Sequence, residues 1–164
     1  MEEWSFLGKN CRDIVSGFEG ICVGMMEWLY GCVQLKLQPK GTTAGKQENY
    51  EHFFAKQLEV LDDGIIGKIE IPEYTPPKFF GKECLDKVVG IKGMCVGRMI
   101  SLFNADMYMI ESLPEDDSKA PRMLWIDEGR LEIVGEKEIE PEEVQSSRTG
   151  GEFDAYPCER NIVR

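Results

Sequence analysis

The sequence predicts a mostly β protein: two tandem, small, five-stranded barrels of the Src-homology type, followed by a flexible acidic C-terminal tail. Three observations predict it. The chain repeats itself without a gap at an offset of 73 residues, its apolar residues alternate over short runs, and glycines punctuate those runs at matching places in both copies.

The repeat is the strongest signal. Residues 6–37 aligned on 79–110 give thirteen identities in 32 positions. They are Phe6/Phe79, Gly8/Gly81, Lys9/Lys82, Cys11/Cys84, Asp13/Asp86, Val15/Val88, Gly17/Gly90, Gly20/Gly93, Cys22/Cys95, Val23/Val96, Gly24/Gly97, Met26/Met99 and Leu29/Leu102. The same offset sets Leu58-Glu59-Val60 on Leu131-Glu132-Ile133. The copies therefore span 6–62 and 79–135, with a linker at 63–78 and an acidic tail at 136–164. Pro72, Pro76 and Pro77 keep the linker from being helical and favour an extended path.

Each copy reads as five strands. Cys11–Ser16 is a short alternating run, and Gly17-Phe18-Glu19-Gly20 marks a turn. Gly20–Leu29 is a longer strand, and Tyr30-Gly31 is a second turn that copy two renders as Phe103-Asn104. Glycine and asparagine both tolerate positive φ, so the exchange keeps the turn chemistry. Cys32–Gln38 ends at Pro39, and short strands are expected near Glu51–Phe54 and Gln57–Leu61. In copy two the last pair falls at Met123–Ile126 and Arg130–Val134.

A simple hairpin at 17–20 would pair residues whose numbers sum to 37, so that Cys22 faces Val15, Gly24 faces Asp13 and Met26 faces Cys11. Side chains on one face recur every second residue. That register puts Cys11, Val15, Cys22 and Met26, with their copies, in the interior. It also puts Asp13 and Asp86 there, where hydrogen bonds to turn amides would satisfy them.

Thirty acids against nineteen bases give a net charge of −11. The excess is uneven: residues 6–62 carry seven acids against six bases, 79–135 ten against seven, and the tail from Glu136 eight against four. Without a surplus of Lys and Arg, direct binding to a nucleic-acid backbone is not expected. No apolar run is long enough to span a bilayer, and the acidic start Met1-Glu2-Glu3 lacks the basic opening of a secretory signal. The expected location is a cytoplasm.

The six cysteines, Cys11, Cys22, Cys32, Cys84, Cys95 and Cys158, form no CxxC pair and are expected to be reduced. The lone histidine, His52, leaves little room for imidazole catalysis. Asp127-Glu128 and Glu115-Asp116-Asp117 lack the spacing of a calcium loop, and no GxxxxGK[ST] is present. No metal, no cofactor and no catalytic residue is expected. Ser146–Arg164 is expected to be disordered, or ordered only against a partner.

The candidate ligand- or partner-binding residues are Trp28, Tyr30, Phe103, Tyr108 and Trp125, aromatics at strand ends or loop edges, with Arg98 where copy one has Met25. A cation beside aromatic rings suits a phosphate, a nucleobase or an acidic peptide. Core or rim positions are the alternative for each.

Leu7-Gly8-Lys9, Asp13, Val15, Gly17-Phe18, Gly20, Leu29-Tyr30-Gly31-Cys32, Gln34 and Pro39 in copy one, with Trp125-Ile126-Asp127-Glu128 and Leu131-Glu132 in copy two, resemble a family of small tailed-phage and prophage proteins. Its pattern runs L-G-K, D-x-V-T-G-F-x-G, Y-L-x-G-C-x-Q, W-F-D-E and L-E. Arg148-Thr149-Gly150-Gly151 resembles the family's end. Copy one departs with His52-Phe53-Phe54-Ala55 at W-F-D-E, and copy two with Val89, Ile91 and Ala105 for Ser16, Phe18 and Cys32. The short barrel core is also similar to KOW and Tudor-like modules.

The resemblance implies a bacteriophage setting in a host cytoplasm. With the duplication, it implies a non-enzymatic counter-defence protein that binds a host protein or a small nucleotide signal. A homo-oligomer is compatible with the small size of each copy. The alternatives are an acidic nucleic-acid mimic that inhibits a DNA-binding enzyme, a KOW-like adaptor, and a structural virion protein.

Overall fold

A computed structural model of the chain describes residues 2–31, 33–41, 50–112 and 121–144. Strand dominates them. The first five strands are β1 (Asn10–Asp13), β2 (Glu19–Trp28), β3 (Val33–Gln38), β4 (Glu51–Phe54) and β5 (Leu58–Asp62). The next five are β6 (Lys82–Asp86), β7 (Lys92–Ser101), β8 (Met107–Ser112), β9 (Arg122–Asp127) and β10 (Leu131–Glu138). A four-residue helix, α1 (Pro141–Val144), comes after them, with proline at its first position, where a missing N–H does no harm. No helix among the described residues is long and apolar enough to cross a membrane.

The chain forms two compact units. Unit 1 comprises Met1–Glu27, Val33–Pro76 and Met99–Asn104; unit 2 comprises Trp28–Cys32, Pro77–Arg98 and Ala105–Arg164. In unit 1 the antiparallel order is β4-β3-β2-β1-β5. In unit 2 it is β9-β8-β7-β6-β10, the same order one copy later. The closed barrel expected for each copy is not formed: among the described residues β4 does not pair with β5, nor β9 with β10. A single 3-10 turn, Ala55–Gln57 or Glu128–Arg130, joins those strands and delivers the fifth strand to the first rather than to the fourth.

The register of β1 and β2 also differs from the expectation. Asn10 faces Ile21, Cys11 faces Gly20 and Arg12 faces Glu19, so partners sum to 31 rather than 37. The reason lies in the turn. Gly17 adopts φ 74°, and its N–H donates to the Asp13 carbonyl at 2.9 Å, closing a loop over residues 14–17. Val15 rides on this loop and is 77% exposed, and Val88 on the matching loop is exposed too, so neither fills an interior. The displacement is an even number of residues, which preserves strand parity. Cys11, Cys22 and Met26 therefore stay buried, as does Asp13. Ser16 donates to the Asp13 carboxylate from its N–H (2.7 Å) and its hydroxyl (2.6 Å), the turn hydrogen bonding expected of that aspartate.

The two copies repeat down to single atoms. Gly8 N–H donates to Cys22 O at 2.8 Å and Gly81 N–H to Cys95 O at 3.0 Å. The Cys11 and Cys84 thiols approach the carbonyls of Lys9 and Lys82, and those of Cys22 and Cys95 approach Gly24 and Gly97. Gly20 and Gly93 are required by close packing: a Cβ there would lie 2.5 Å from the Gln38 and Glu111 carbonyl oxygens respectively.

In unit 1 the core is Leu7, Cys11, Cys22, Met25, Leu35 and Leu37, completed by Ile100. In unit 2 it is Phe79, Cys84, Cys95, Tyr108, Ile110, Ile126 and Leu131. The segment 63–76 also belongs to unit 1. Ile71 and Tyr74 pack on its core, Trp4 Nε1–H donates to Pro72 O at 3.1 Å, and the Tyr74 hydroxyl donates to Glu27 at 3.0 Å. Cys32, Cys158, Glu115-Asp116-Asp117, Arg148–Gly151 and the tail Ser146–Arg164 lie outside the described residues.

Candidate functional site

Unit 2 holds a groove of about 510 Å³. Its walls are apolar: Leu29, Met94, Val96, Pro121, Ile139 and Val144. Tyr30 edges it, Gly93 forms part of its surface, and Glu83, Lys92, Glu111 and Ser112 supply the polar groups. A cleft of this size, mostly apolar with a few placed polar groups, is the usual form of a binding site.

Local sequence explains each wall. β7 offers alternate residues Met94 and Val96 to one side, as a strand must. The Leu29 N–H donates to Val96 O at 2.9 Å, which fixes Leu29 and its neighbour Tyr30 over β7. Gly93 leaves room for Ile110, whose Cγ2 would collide with a Cβ at that position. Glu83 lies across Gly135, where a Cβ would collide with the Glu83 carboxylate. The chain leaves β10, Ile139 N–H donates to Gly81 O at 2.9 Å, and α1 brings Val144 to the rim.

Beside this groove, unit 2 gathers five of the six residues singled out from sequence. Trp28 is buried, stacked on Tyr30 (centroids 5.7 Å, 15°) and tilted against Trp125 (5.8 Å). Its ring covers Gly97, where a Cβ would lie 3.0 Å from the indole. Arg98 is buried, and its Nε and Nη2 donate to one Asp106 carboxylate oxygen at 3.0 and 2.5 Å. The guanidinium carbon stands 5.9 Å from the Tyr108 ring. Tyr108 is itself buried, edge-on to Phe79 at 4.8 Å, and burial pushes its hydroxyl up to about 12. Of these five, only Tyr30 lines the groove.

Phe103 belongs to unit 1, is 60% exposed, and edges a smaller pocket of about 160 Å³ with Ile21, Val23, Gln38, Pro39 and Ile65.

Sequence reasoning missed Met94, Val96, Glu83, Glu111, Ile139 and Val144. A signal for the two acids was present. At the repeat offset, Asn10 and Gln38 of copy one become Glu83 and Glu111, an amide-to-carboxylate change at both positions.

The described thiols and the histidine are held in unreactive states. Burial pushes Cys11 and Cys84 up to about 11 and Cys22 up to about 12, and it raises Cys95 further. Burial and the nearby Lys36 ammonium lower His52 to about 4. Among the described residues no three His, Cys, Asp or Glu side chains converge to hold a metal ion. No match to a protein family, to a curated protein or to a solved structure was found.

Proposed function

We propose that this protein is a non-enzymatic binding protein of bacteriophage type that sequesters a component of the host cytoplasm. The groove of unit 2 is its contact surface. The scaffold is two Src-homology-like units, a reading supported by the shared 4-3-2-1-5 strand order. The observation that carries the function is the groove itself: apolar walls of Met94, Val96, Leu29 and Ile139, with carboxylates of Glu83 and Glu111 at its edge. Buried, protonated thiols and a neutral histidine favour binding over catalysis.

Of the two ligand classes, a host protein is favoured over a nucleotide. Two carboxylates against the single Lys92 repel phosphate. Arg98, the cation best placed among aromatics, is already held by Asp106. A nucleic-acid mimic is disfavoured because Glu19, Glu59, Asp62, Glu128 and Glu138 lie beside Arg12, Lys40, Lys78 and Lys82.

The test compares the intact chain with Met94→Glu and Glu111→Lys after expression in a bacterial host. Material bound to each is eluted by denaturation and measured by mass spectrometry. A host protein present with the intact chain and lost from both variants is expected. Equal recovery from all three, or a nucleotide as the bound species, overturns this reading.

A further inference from the structure

Four strands end the strand orders of the two units: β4 and β5 in unit 1, β9 and β10 in unit 2. An open sheet edge offers unpaired N–H and C=O groups to any passing strand, and proteins ordinarily blunt it by shortening, bulging or charging the strand. Three of the four are blunted in this way. β4 is four residues long and opens on the exposed Glu51. β5 carries Glu59 and Asp62, and its register shifts against β1. β10 carries Glu132, Glu136 and Glu138 with Gly135 among them, and its register shifts against β6.

β9, Arg122-Met123-Leu124-Trp125-Ile126-Asp127, has none of these devices. Its six residues hold one unbroken register with β8, from Ser112 opposite Arg122 to Met107 opposite Asp127. Its charges stand only at the two ends. Met123, Leu124 and Trp125 are half-buried, and successive side chains alternate, so apolar surface shows on both faces of the strand. The backbone tells which residues face the open side. The Glu128 N–H donates to Asp106 O at 3.0 Å in the register of β8 and β9. Hydrogen-bonded pairs alternate in an antiparallel ladder, so Arg122, Leu124 and Ile126 turn their N–H and C=O groups to β8. Met123, Trp125 and Asp127 turn theirs away, to a side that no strand among the described residues takes up.

We propose that the open edge of β9 pairs with the same edge of a second copy of this chain, giving a symmetric antiparallel dimer. A two-fold contact sets residue i against j and j against i. Only outward-facing residues exchange hydrogen bonds, so the axis falls on a residue and not between two. Centred on Trp125, the pairing sets Met123 against the partner's Asp127, Leu124 against Ile126 and Arg122 against Glu128. Centred on Leu124, it would set Arg122 against apolar Ile126, and Pro121, which has no N–H, against Asp127. Charge selects the first: β9 begins on the exposed cation Arg122 and runs out through Asp127 and Glu128, so two antiparallel copies join unlike charges at both ends. Glu128 also meets Lys78 at 2.5 Å, an exposed pair whose loss matters little. One strand pair is a small contact, and a dissociation constant on the order of 10–100 µM is expected. The dimer does not depend on the groove of unit 2 being a contact surface.

Sedimentation equilibrium of the full chain, from roughly 1 to 500 µM, is expected to show the monomer giving way to a dimer. Arg122→Glu and Glu128→Arg, each checked for folding by circular dichroism, set like charges against each other at both ends of the pair. Each alone should weaken self-association by roughly tenfold or more. Mixed in equal amounts the two variants should associate again, because in the mixed pair both ends join unlike charges. Met123→Lys puts a charge on the open edge without touching either ion pair and should also abolish the dimer. Glu132→Lys, on the opposite edge of unit 2, should leave it unchanged.

A chain that stays monomeric throughout overturns the proposal, as does a dimer that Arg122→Glu leaves intact. Single variants that fail to associate on mixing overturn it too. A dimer lost with Glu132→Lys would assign the contact to β10 instead.

Discussion

Asp86 is 1% exposed and remains a carboxylate because Arg130 reaches it and the Val88 N–H donates to it at 2.9 Å. The Arg130 side chain is the main cause that holds its carboxyl below the usual range. Copy one has Gln57 at the Arg130 position, and its Asp13 relies on Ser16 instead. A carboxyl depressed on folding adds stability above its unfolded value, near 4, and loses it as pH falls through the native value. Arg130→Gln is therefore expected to lower the melting temperature at pH 7 and to shrink the loss of stability below pH 4. Thermal unfolding across pH 2–7 measures both.

His52 acts at milder pH. Its native value, about 4, lies below the unfolded value of 6.5, so the unfolded chain binds more protons between the two. Stability should fall as pH drops from 6.5 to 4, by on the order of 2–3 kcal/mol, and His52→Gln should abolish that slope. Urea titrations at pH 7, 5.5 and 4.5 would show it. The thiols give a third expectation. In a Cys32→Ser, Cys158→Ser chain, the four remaining cysteines should resist a thiol reagent at pH 8 until denaturant is added.

At the scale of elements, the β1–β2 turn separates two roles of glycine. Gly17 needs its positive φ but has open space around it, so Gly17→Ala should cost about 1 kcal/mol. Gly93 has an ordinary backbone conformation but no space, since a Cβ would collide with Ile110 and the Glu111 carbonyl. Gly93→Ala should cost roughly 1–3 kcal/mol. Chemical denaturation of the two variants tests the ranking.

The strands themselves were legible. Alternation and bounding glycines and prolines placed β2, β3, β4 and β5 within a residue or two; β2 itself is buried at nine of its ten positions, so its glycine boundaries rather than a half-buried period marked it. The hairpin register was not legible. The same Gly17 suits a tight turn at 17–20 or a loop over 14–17, and the hydrogen bond from Gly17 to Asp13 decides between them only in three dimensions. The linker was expected to be extended, but its first half is turned: Ile66 N–H donates to Asp63 O at 2.9 Å and Lys68 N–H to Ile65 O at 3.0 Å, with Gly64 and Gly67 at positive φ. Its packing was not legible either, because Tyr74 reaching Glu27 depends on a partner 47 residues away in sequence.

At the scale of the whole chain, unit 1 draws its core residue Ile100 from the second copy. A chain ending at Pro76 lacks that residue together with Leu102, whose N–H satisfies Val23 O. Such a fragment should show poor chemical-shift dispersion and no cooperative thermal transition, while the intact chain melts sharply. The candidate site was legible only in part for a related reason. Tyr30 and Phe103 were chosen as strand-end aromatics of their own copies, yet Tyr30 lines a groove of unit 2 and Phe103 a pocket of unit 1. Offset arithmetic finds equivalent positions, but not the unit in which each is used.

That assignment of Met99–Asn104 to unit 1 and of Trp28–Cys32 to unit 2 bears on how the gene could change. Deleting either half would remove strand residues from the fold that remains, so neither half could be discarded after duplication without harm to the other. The copies keep one strand order while differing in side chains, as at Asn10/Glu83, Gln38/Glu111 and Gln57/Arg130, and in the length of the fifth strand, five residues in β5 against eight in β10.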